Sequence, residues 1–411
     1  MRKDQPSNMQ PTFSCVKKSA PNYLPFFSIV LPAYGVEVYL PDALDDLVAQ
    51  TFTNWEAIVV DDCSPDGSRQ IAEHYALKDS RFRVVSHEVN QGLSAARNTG
   101  LKEARGKYVW FPDPDDRYEK DTLQKVKESL ERQASPVVLI GHIEDFYALP
   151  KAVTQSFEGN SFVQLPDSAE WSNSTGVHAF KYDGTQIERS VDFSLNDKEY
   201  DREGLRELVL QLEKKTHYGY AWNKFYERSY LLEGNFWFAE GLPLIEDIEF
   251  NIRVFQDLPS LNIVGAPLYH YAKREGANLT NKFVLRYFEV HRQRIQMLRD
   301  QQEAWGLLAD DAKSTLGGLF ARYVLSALER NCEPESNMDH SERIAWCKQL
   351  FLDPLFQELI PCAQADSFVL RACIKILHHN NANTSVALGR IIHEVKQGPL
   401  HNLFVKIKAS R

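Results

Sequence analysis

The chain has 411 residues, 43% of them hydrophobic and 25% charged, with a net charge of −9 and a pI near 5.8. That length exceeds what one core usually fills, and the composition is that of a folded chain rather than a disordered one. The acidic balance excludes a nucleic-acid-binding surface, which needs clustered Lys and Arg. Six cysteines, at 15, 63, 332, 347, 362 and 373, form no CxxC pair and no metal-ligand spacing, as expected of free thiols in the cytoplasm. The sequence offers no apolar run of membrane-spanning length and no apolar segment near Arg2, Lys3 and Asp4, so neither a span nor a secretion signal is expected.

Residues 1–25 read as a polar, proline-punctuated tail. Ser28 to Pro32 is the kind of short apolar run that fills a buried parallel strand, and Leu40, Ala43, Leu44, Leu47 and Val48 follow at helical spacing, with Pro41 in the first turn. The alternation continues. A strand at Ala57 to Val60 precedes a helix carrying Ile71, Ala72 and Tyr75, and a strand at Phe82 to Val85 precedes a helix from Leu93 to Ala104. A strand from Tyr108 to Phe111, a helix carrying Leu123, Val126 and Leu130, and a strand from Val137 to Ile140 complete the series. The pattern dissolves between Ala148 and Glu213, which reads as an insertion. A compact segment returns from Tyr220 to Tyr271, and beyond Lys282 the chain reads as helical, with Leu319, Tyr323, Leu325 and Leu328 among its core positions.

Alternating strands and helices predict an α/β fold, a mostly parallel sheet with helices on both faces, which binds ligands beyond the carboxyl ends of its strands. At those ends stand Pro32, Ala33 and Tyr34 after the first strand, Asp61 and Asp62 after the second, and Asp113, Asp115 and Asp116 after the fourth. Five carboxylates on one rim repel one another unless a cation or ligand donors neutralise them. Any one of them alone would be an ordinary turn cap. The first strand does not open into GxGxxG, which excludes a dinucleotide-dependent oxidoreductase.

Seven segments, FSIVLPAYGVEVYLPDALDDLVAQTF, WEAIVVDDCSPDGS, NQGLSAARNTG, GKYVWFPDPDD, AWNKFYERSYL, EGLPLIEDIEF and YHYAKREGANLT, follow one another from Phe26 to Thr280. In that order they resemble a family-2 glycosyltransferase of the GT-A fold, the group that holds many bacterial polysaccharide, teichoic-acid and glycolipid transferases. The resemblance implies a nucleotide-sugar-binding half at 26–147, an acceptor half at 148–282, and a mainly helical region at 283–411. It implies transfer of a sugar from a UDP-sugar to an acceptor hydroxyl of a surface polysaccharide, teichoic acid or lipid-linked glycan, with Mn²⁺ or Mg²⁺. A single base opposite the leaving diphosphate would invert the anomeric centre. A non-catalytic nucleotide-sugar-binding protein of the same fold is the rival, but it has no need of Asp113, Asp115 and Asp247 together.

By the same resemblance Pro32, Ala33 and Tyr34 lie against uracil and Asp62 accepts from its N3; for Tyr34 the alternative is core packing. Arg97 resembles a donor-binding arginine, against a surface salt bridge. Asp115 would sit on the metal and Asp113 on the ribose or the metal's waters, with Pro114 between them where the family more often has a small polar residue. His270 either completes the metal shell or is a half-buried side chain. Arg274 resembles a loop cation that covers the diphosphate; Lys224 has the charge for the same work or begins a helix. Asp247 aligns with the general base and Glu246 with its orienting neighbour, the alternative being that Asp247 caps a helix. Finally, Leu403, Phe404, Val405 and Ile407 alternate with Lys406, Lys408 and Arg411. That end is either a frayed, solvated terminus, the stronger reading, or a peripheral contact with the inner face of an anionic membrane. The C-terminal region is also where a homo-oligomer would form.

Overall fold

The structure is a computed structural model that describes residues 24–147, 187–242, 244–274, 284 and 286–397. The N-terminal tail, the first part of the expected insertion and the basic-apolar C-terminal end lie outside these residues. Every element expected between Ser28 and Ile140 is present: β1 (Phe27–Ala33), α1 (Leu40–Val48), β2 (Trp55–Asp61), α2 (Ser68–Lys78), β3 (Phe82–Ser86), α3 (Leu93–Glu103), β4 (Tyr108–Trp110), α4 (Thr122–Arg132) and β6 (Val137–Tyr147). A two-residue strand, β5 (Arg117–Tyr118), stands between β4 and α4.

Beyond β6 come β7 (Ile187–Phe193), β8 (Lys198–Asp201), α5 (Arg202–Lys214), β9 (Lys224–Glu227), α6 (Arg228–Glu233), α7 (Glu246–Phe255) and the long β10 (Ser260–Arg274). The sheet order is β3-β2-β1-β4-β9-β6-β10-β5, with β7 on β6 and β8 on β10. β3, β2, β1 and β4 are mutually parallel, as are β6 and β10. β9 runs antiparallel between the two blocks. The second half of the expected insertion is therefore ordered structure. α5 carried its own signal, Leu205, Leu208, Val209 and Leu212 at helical spacing behind Asp201, whose carboxylate accepts from Gly204 N at 2.9 Å.

β1 shows how the sheet divides the core. Its side chains alternate with period two, so Val30 faces one apolar cluster while Ile29 and Leu31 face the other. On the Val30 face α3 lies so close that a Cβ on Gly100 would stand 2.1 Å from Val30 Cγ1. Glycine at that point lets α3 settle onto β1 and fixes how far Arg97 reaches toward the rim.

Among the described residues six helices follow: α8 (Tyr287–Ala304), α9 (Asp310–Arg330), α10 (His340–Leu352), α11 (Pro354–Leu359), α12 (Phe368–His378) and α13 (Ala382–Gln397). The boundary expected at 282 is no break in the core. Val30, Val109, Leu205, Ile248, Leu298, Phe320, Leu355 and Val386 belong to one buried cluster running from the sheet through the C-terminal helices. Among the described residues no helix is long and apolar enough to cross a membrane.

Two histidines beside this core have an acid consequence. His142 on β6 is fully buried with neither ring nitrogen hydrogen-bonded, and the buried His217 leaves Nδ1 unpaired; their rings lie 5.0 Å apart. Burial, then the neighbouring His217, holds His142 down at about 2, and burial holds His217 down at about 4. The unfolded chain therefore binds more protons below pH 6.5, and the stability of these neutral imidazoles is present above that value and lost as pH falls. The rim carboxylates raised by burial respond in the opposite sense, so the clean measurement is a difference. Between pH 7 and 5, His142→Phe should gain about 2 kcal/mol on wild type in urea unfolding. A gap independent of pH would show that His142 is not held neutral.

Candidate active site

The loop after β4 positions three carboxylates differently. Asp116 is locked inside: it is 1% exposed, and its carboxylate accepts from the Tyr269 hydroxyl at 2.6 Å and Ala272 N at 2.8 Å. The same Tyr269 oxygen accepts from Asp113 N, and the Tyr118 hydroxyl donates to Asp113 O. This scaffold of buried tyrosines anchors the loop to β10 and leaves the side chains of Asp113 and Asp115 26% and 40% exposed at the rim. Burial, opposed by Arg97 but reinforced by Asp115 and Asp247, pushes the Asp113 carboxyl up to about 7. Burial likewise raises Asp115, against the pull of Arg274.

Arg97 is 1% exposed on α3, so it is no surface residue. Its guanidinium donates to Asp247 Oδ1 at 2.5 Å and to Asp113 Oδ1 at 3.1 Å. One planar fork thus joins the β4 loop to α7, reaching a residue 150 positions along the chain from Arg97. Asp247 is the second residue of α7, yet no side chain caps that helix. Its other oxygen, Oδ2, accepts from Ala221 N at 3.0 Å, so the capping alternative does not hold. Glu246 beside it has a buried Oε2 without a partner, and burial followed by the Asp247 charge pushes it up to about 7. Glu249, the third acid of the run, is spent on Arg253 at 2.6 Å.

The remaining expected residues divide. Pro32 and Ala33 are buried at the end of β1, and Tyr34 is 53% exposed beyond it, which removes the core-packing alternative. Asp62 is buried with most of its acceptor capacity in use: Oδ1 accepts from Gln91 N at 2.8 Å and lies 2.7 Å from His87 Nδ1, while Oδ2 accepts from Gly92 N at 2.7 Å. It pins β2 to the turn before α3 and keeps one lone pair on Oδ2 for a ligand. Arg274 donates to Asp115 Oδ2 at 3.4 Å and Asp115 O at 2.5 Å, with its guanidinium 4.1 Å over the Tyr39 ring, so it covers the Asp113/Asp115 loop.

His270 is not brought to Asp115. Its Nδ1 lies 2.9 Å from Asp145 and its Nε2 3.0 Å from Glu119, and these carboxylates raise its pKa, the Asp145 bond first. Both nitrogens are committed, the half-buried alternative of the two. Lys224 neither covers a diphosphate nor begins a helix; it begins β9, wholly buried, with Nζ donating to the carbonyls of His217, Tyr218 and Tyr220 and to Asn223 Oδ1. Sequence reasoning missed Asn98, which clamps α3 to the loop before α7: Nδ2 donates to Phe238 O and Oδ1 accepts from Phe238 N. A polar side chain next to Arg97 on the buried face of α3 was the signal.

Among the described residues no group of three His, Cys, Asp or Glu is arranged to hold a metal by itself. Asp113 and Asp115 still suit a hard divalent cation, because both are oxygen donors on one loop and burial raises both carboxyls even against the pull of Arg97 and Arg274. Such a cation takes one or two carboxylates and completes its shell with phosphate oxygens and water.

A mostly parallel sheet with an acidic rim, joined through an arginine to a carboxylate on a second half, is the arrangement of the GT-A class of α/β fold. Residues 28–181 match the family described as Glycosyl transferase family 2. It is 29% identical over 255 residues to the uncharacterized glycosyltransferase EpsJ of Bacillus subtilis, covering 62% of each chain. It is 38% identical over 121 residues to the putative teichuronic acid biosynthesis glycosyltransferase TuaG of the same organism, covering 29% of this chain and 48% of TuaG. The matches span about 60% or less of the length of these relatives. In fold it resembles residues 1–349 of TarS from S. aureus, solved with UDP-GlcNAc, at a TM-score of 0.52 and 22% identity over 90% of this chain and 91% of that one.

Proposed function

We propose that this chain transfers a sugar from a UDP-sugar to an acceptor hydroxyl of a surface polysaccharide, teichoic acid or lipid-linked glycan, with inversion at the anomeric carbon. The observation that carries the proposal is the Arg97 bridge, which sets Asp247 beside the Asp113/Asp115 loop with its Oδ2 oriented by Ala221 N. Donor and acceptor chemistry need those two carboxylate sets side by side and in different roles. Pro32, Ala33 and Tyr34 receive the uracil, and Asp62 offers its remaining lone pair to the base edge. Asp115 and Asp113 hold a divalent cation, Mn²⁺ or Mg²⁺, which when bound neutralises the diphosphate as it leaves. Arg274 adds a positive charge on the same side.

Asp247 takes the proton of the attacking hydroxyl, with Glu246 orienting it. One base on the face opposite the leaving group gives direct displacement, hence inversion. The complex of the fold neighbour with UDP-GlcNAc and the teichuronic acid role named for TuaG support the donor and acceptor classes.

The test is a panel of UDP-sugars, UDP-GlcNAc first, with Mn²⁺ or excess EDTA and mass spectrometry of the products. We expect turnover of one donor that EDTA abolishes and that Asp115→Asn reduces at least a hundredfold, since a charged ligand is lost at constant volume. Turnover that survives EDTA would remove the metal from the proposal. No turnover of any UDP-sugar would remove the donor class.

A further inference from the structure

Asp247 is held from two sides, by α7, which carries it, and by the 215–223 loop, whose Ala221 N–H donates to Oδ2. α7 ends at Phe255, so the carbonyl of Ile252 is among the last four, which lack intrahelical partners. The loop is irregular and is tied from its C-terminal end by Lys224 Nζ, which donates to the carbonyls of His217, Tyr218 and Tyr220. One residue from the C-terminal helices serves both. Gln301 of α8 is 3% exposed; its Oε1 accepts from the Tyr218 hydroxyl at 3.0 Å, and its Nε2 donates to Ile252 O at 3.1 Å. Tyr218 lies three residues before Ala221, and Ile252 five residues after Asp247. The buried amide of Gln301 is therefore a bridge from α8 between the two elements that aim the carboxylate, beside the direct bond that Asn251 of α7 donates to Tyr220 O at 3.1 Å.

A second contact from α8 limits the same loop. Arg294 donates to Glu213 Oε1 at 2.6 Å, and its Nη2 would lie 2.6 Å from a Cβ on Gly219, so the loop backbone rests directly against the guanidinium.

We propose that Gln301 is a positioning residue for Asp247, so that the helical region after 282 is part of the catalytic unit rather than an appended module. The proposal rests on the reading of Asp247 as the base. A misplacement near 1 Å at a reacting group costs up to about a hundredfold in rate, which sets the scale.

The experiment uses the full chain with Gln301→Met, which keeps the volume and loses both hydrogen bonds, and Tyr218→Phe, which removes one oxygen and only the loop-side bond. Turnover is measured with Mn²⁺ and the donor identified by the panel, and UDP affinity by calorimetry. We expect kcat to fall roughly tenfold or more in Gln301→Met and by a smaller factor in Tyr218→Phe, with donor KM and UDP affinity within about twofold of wild type. The double variant should fall short of the product of the singles, because both act on one contact.

In an Asp247→Asn background Gln301→Met should cost nothing further, a result that loss of stability alone does not produce. If Gln301→Met does not fold, Tyr218→Phe in the two backgrounds carries the same comparison. Lowered stability with unchanged kcat, or an equal loss of rate in both backgrounds, overturns the proposal. Wild-type turnover by Asp247→Asn itself would instead overturn the reading of the base on which it rests.

Discussion

Replacing Asp247 with asparagine should lower the transfer rate by about a hundredfold to ten-thousandfold, the usual effect of losing a positioned base. UDP affinity should stay within a few-fold, since the side chain bonds to Arg97 and Ala221 and makes no hydrogen bond to Tyr34, Asp62, Asp115 or Arg274. Stability should also fall. From the sequence, a capping role predicts at most about 1 kcal/mol, but the structure replaces the cap with an ion pair to a buried guanidinium. Arg97 keeps Asp113, and Asp247 is partly exposed, so the expected cost in urea unfolding is about 1 to 3 kcal/mol, below that of stranding a fully buried charge. Glu246→Gln is the companion variant. Near-normal transfer by Asp247→Asn with collapse in Glu246→Gln would move the base to Glu246, whose unpartnered Oε2 and pKa near 7 make it the one neighbour able to take the role. Glu249 is excluded by its bond to Arg253.

The largest effect on stability is expected at Arg97. Arg97→Met preserves a long apolar stem and removes the positive charge that Asp113, Asp247 and Glu246 share. Breaking a buried pair from one side typically costs about 3 to 5 kcal/mol, because the stranded partners remain desolvated. We expect a loss of about 3 kcal/mol here, since the carboxylates are partly exposed and can take up protons. Arg97→Lys should recover less than half of it, because an ammonium is a point charge and cannot repeat two donations from one planar fork. Activity should be lost in both variants, as the base and the β4 loop are no longer tied together. An unfolding midpoint equal to wild type in Arg97→Met would show that these carboxylates are neutralised by something other than this arginine.

What the sequence determined by itself is local. The strands and helices from β1 to β6, the short β5 apart, are specified by apolar runs and helical spacing, and a parallel sheet follows from their alternation, so the acidic rim could be placed without coordinates. The family resemblance also singled out Asp113, Asp115, Glu246 and Asp247 as candidates, and of these the structure brings Asp113 and Asp247 onto one arginine.

The tertiary structure decided partners. Arg97 reads as a donor contact in a short motif, and only folding brings it against a residue 150 positions away. Asp116 and His270 look as available as their neighbours in sequence, yet hydrogen bonds from Tyr269 and with Asp145 and Glu119 commit them, while the turn before α3 leaves Asp62 a single lone pair. Lys224 has the composition of a phosphate ligand and the surroundings of a buried strut. A carboxylate's type is fixed by the chain, but its free lone pairs are set by which distant donors reach it. That depends on packing between elements, which no local pattern encodes, and it is why Gln301, an unremarkable glutamine on a late helix, becomes visible only in three dimensions.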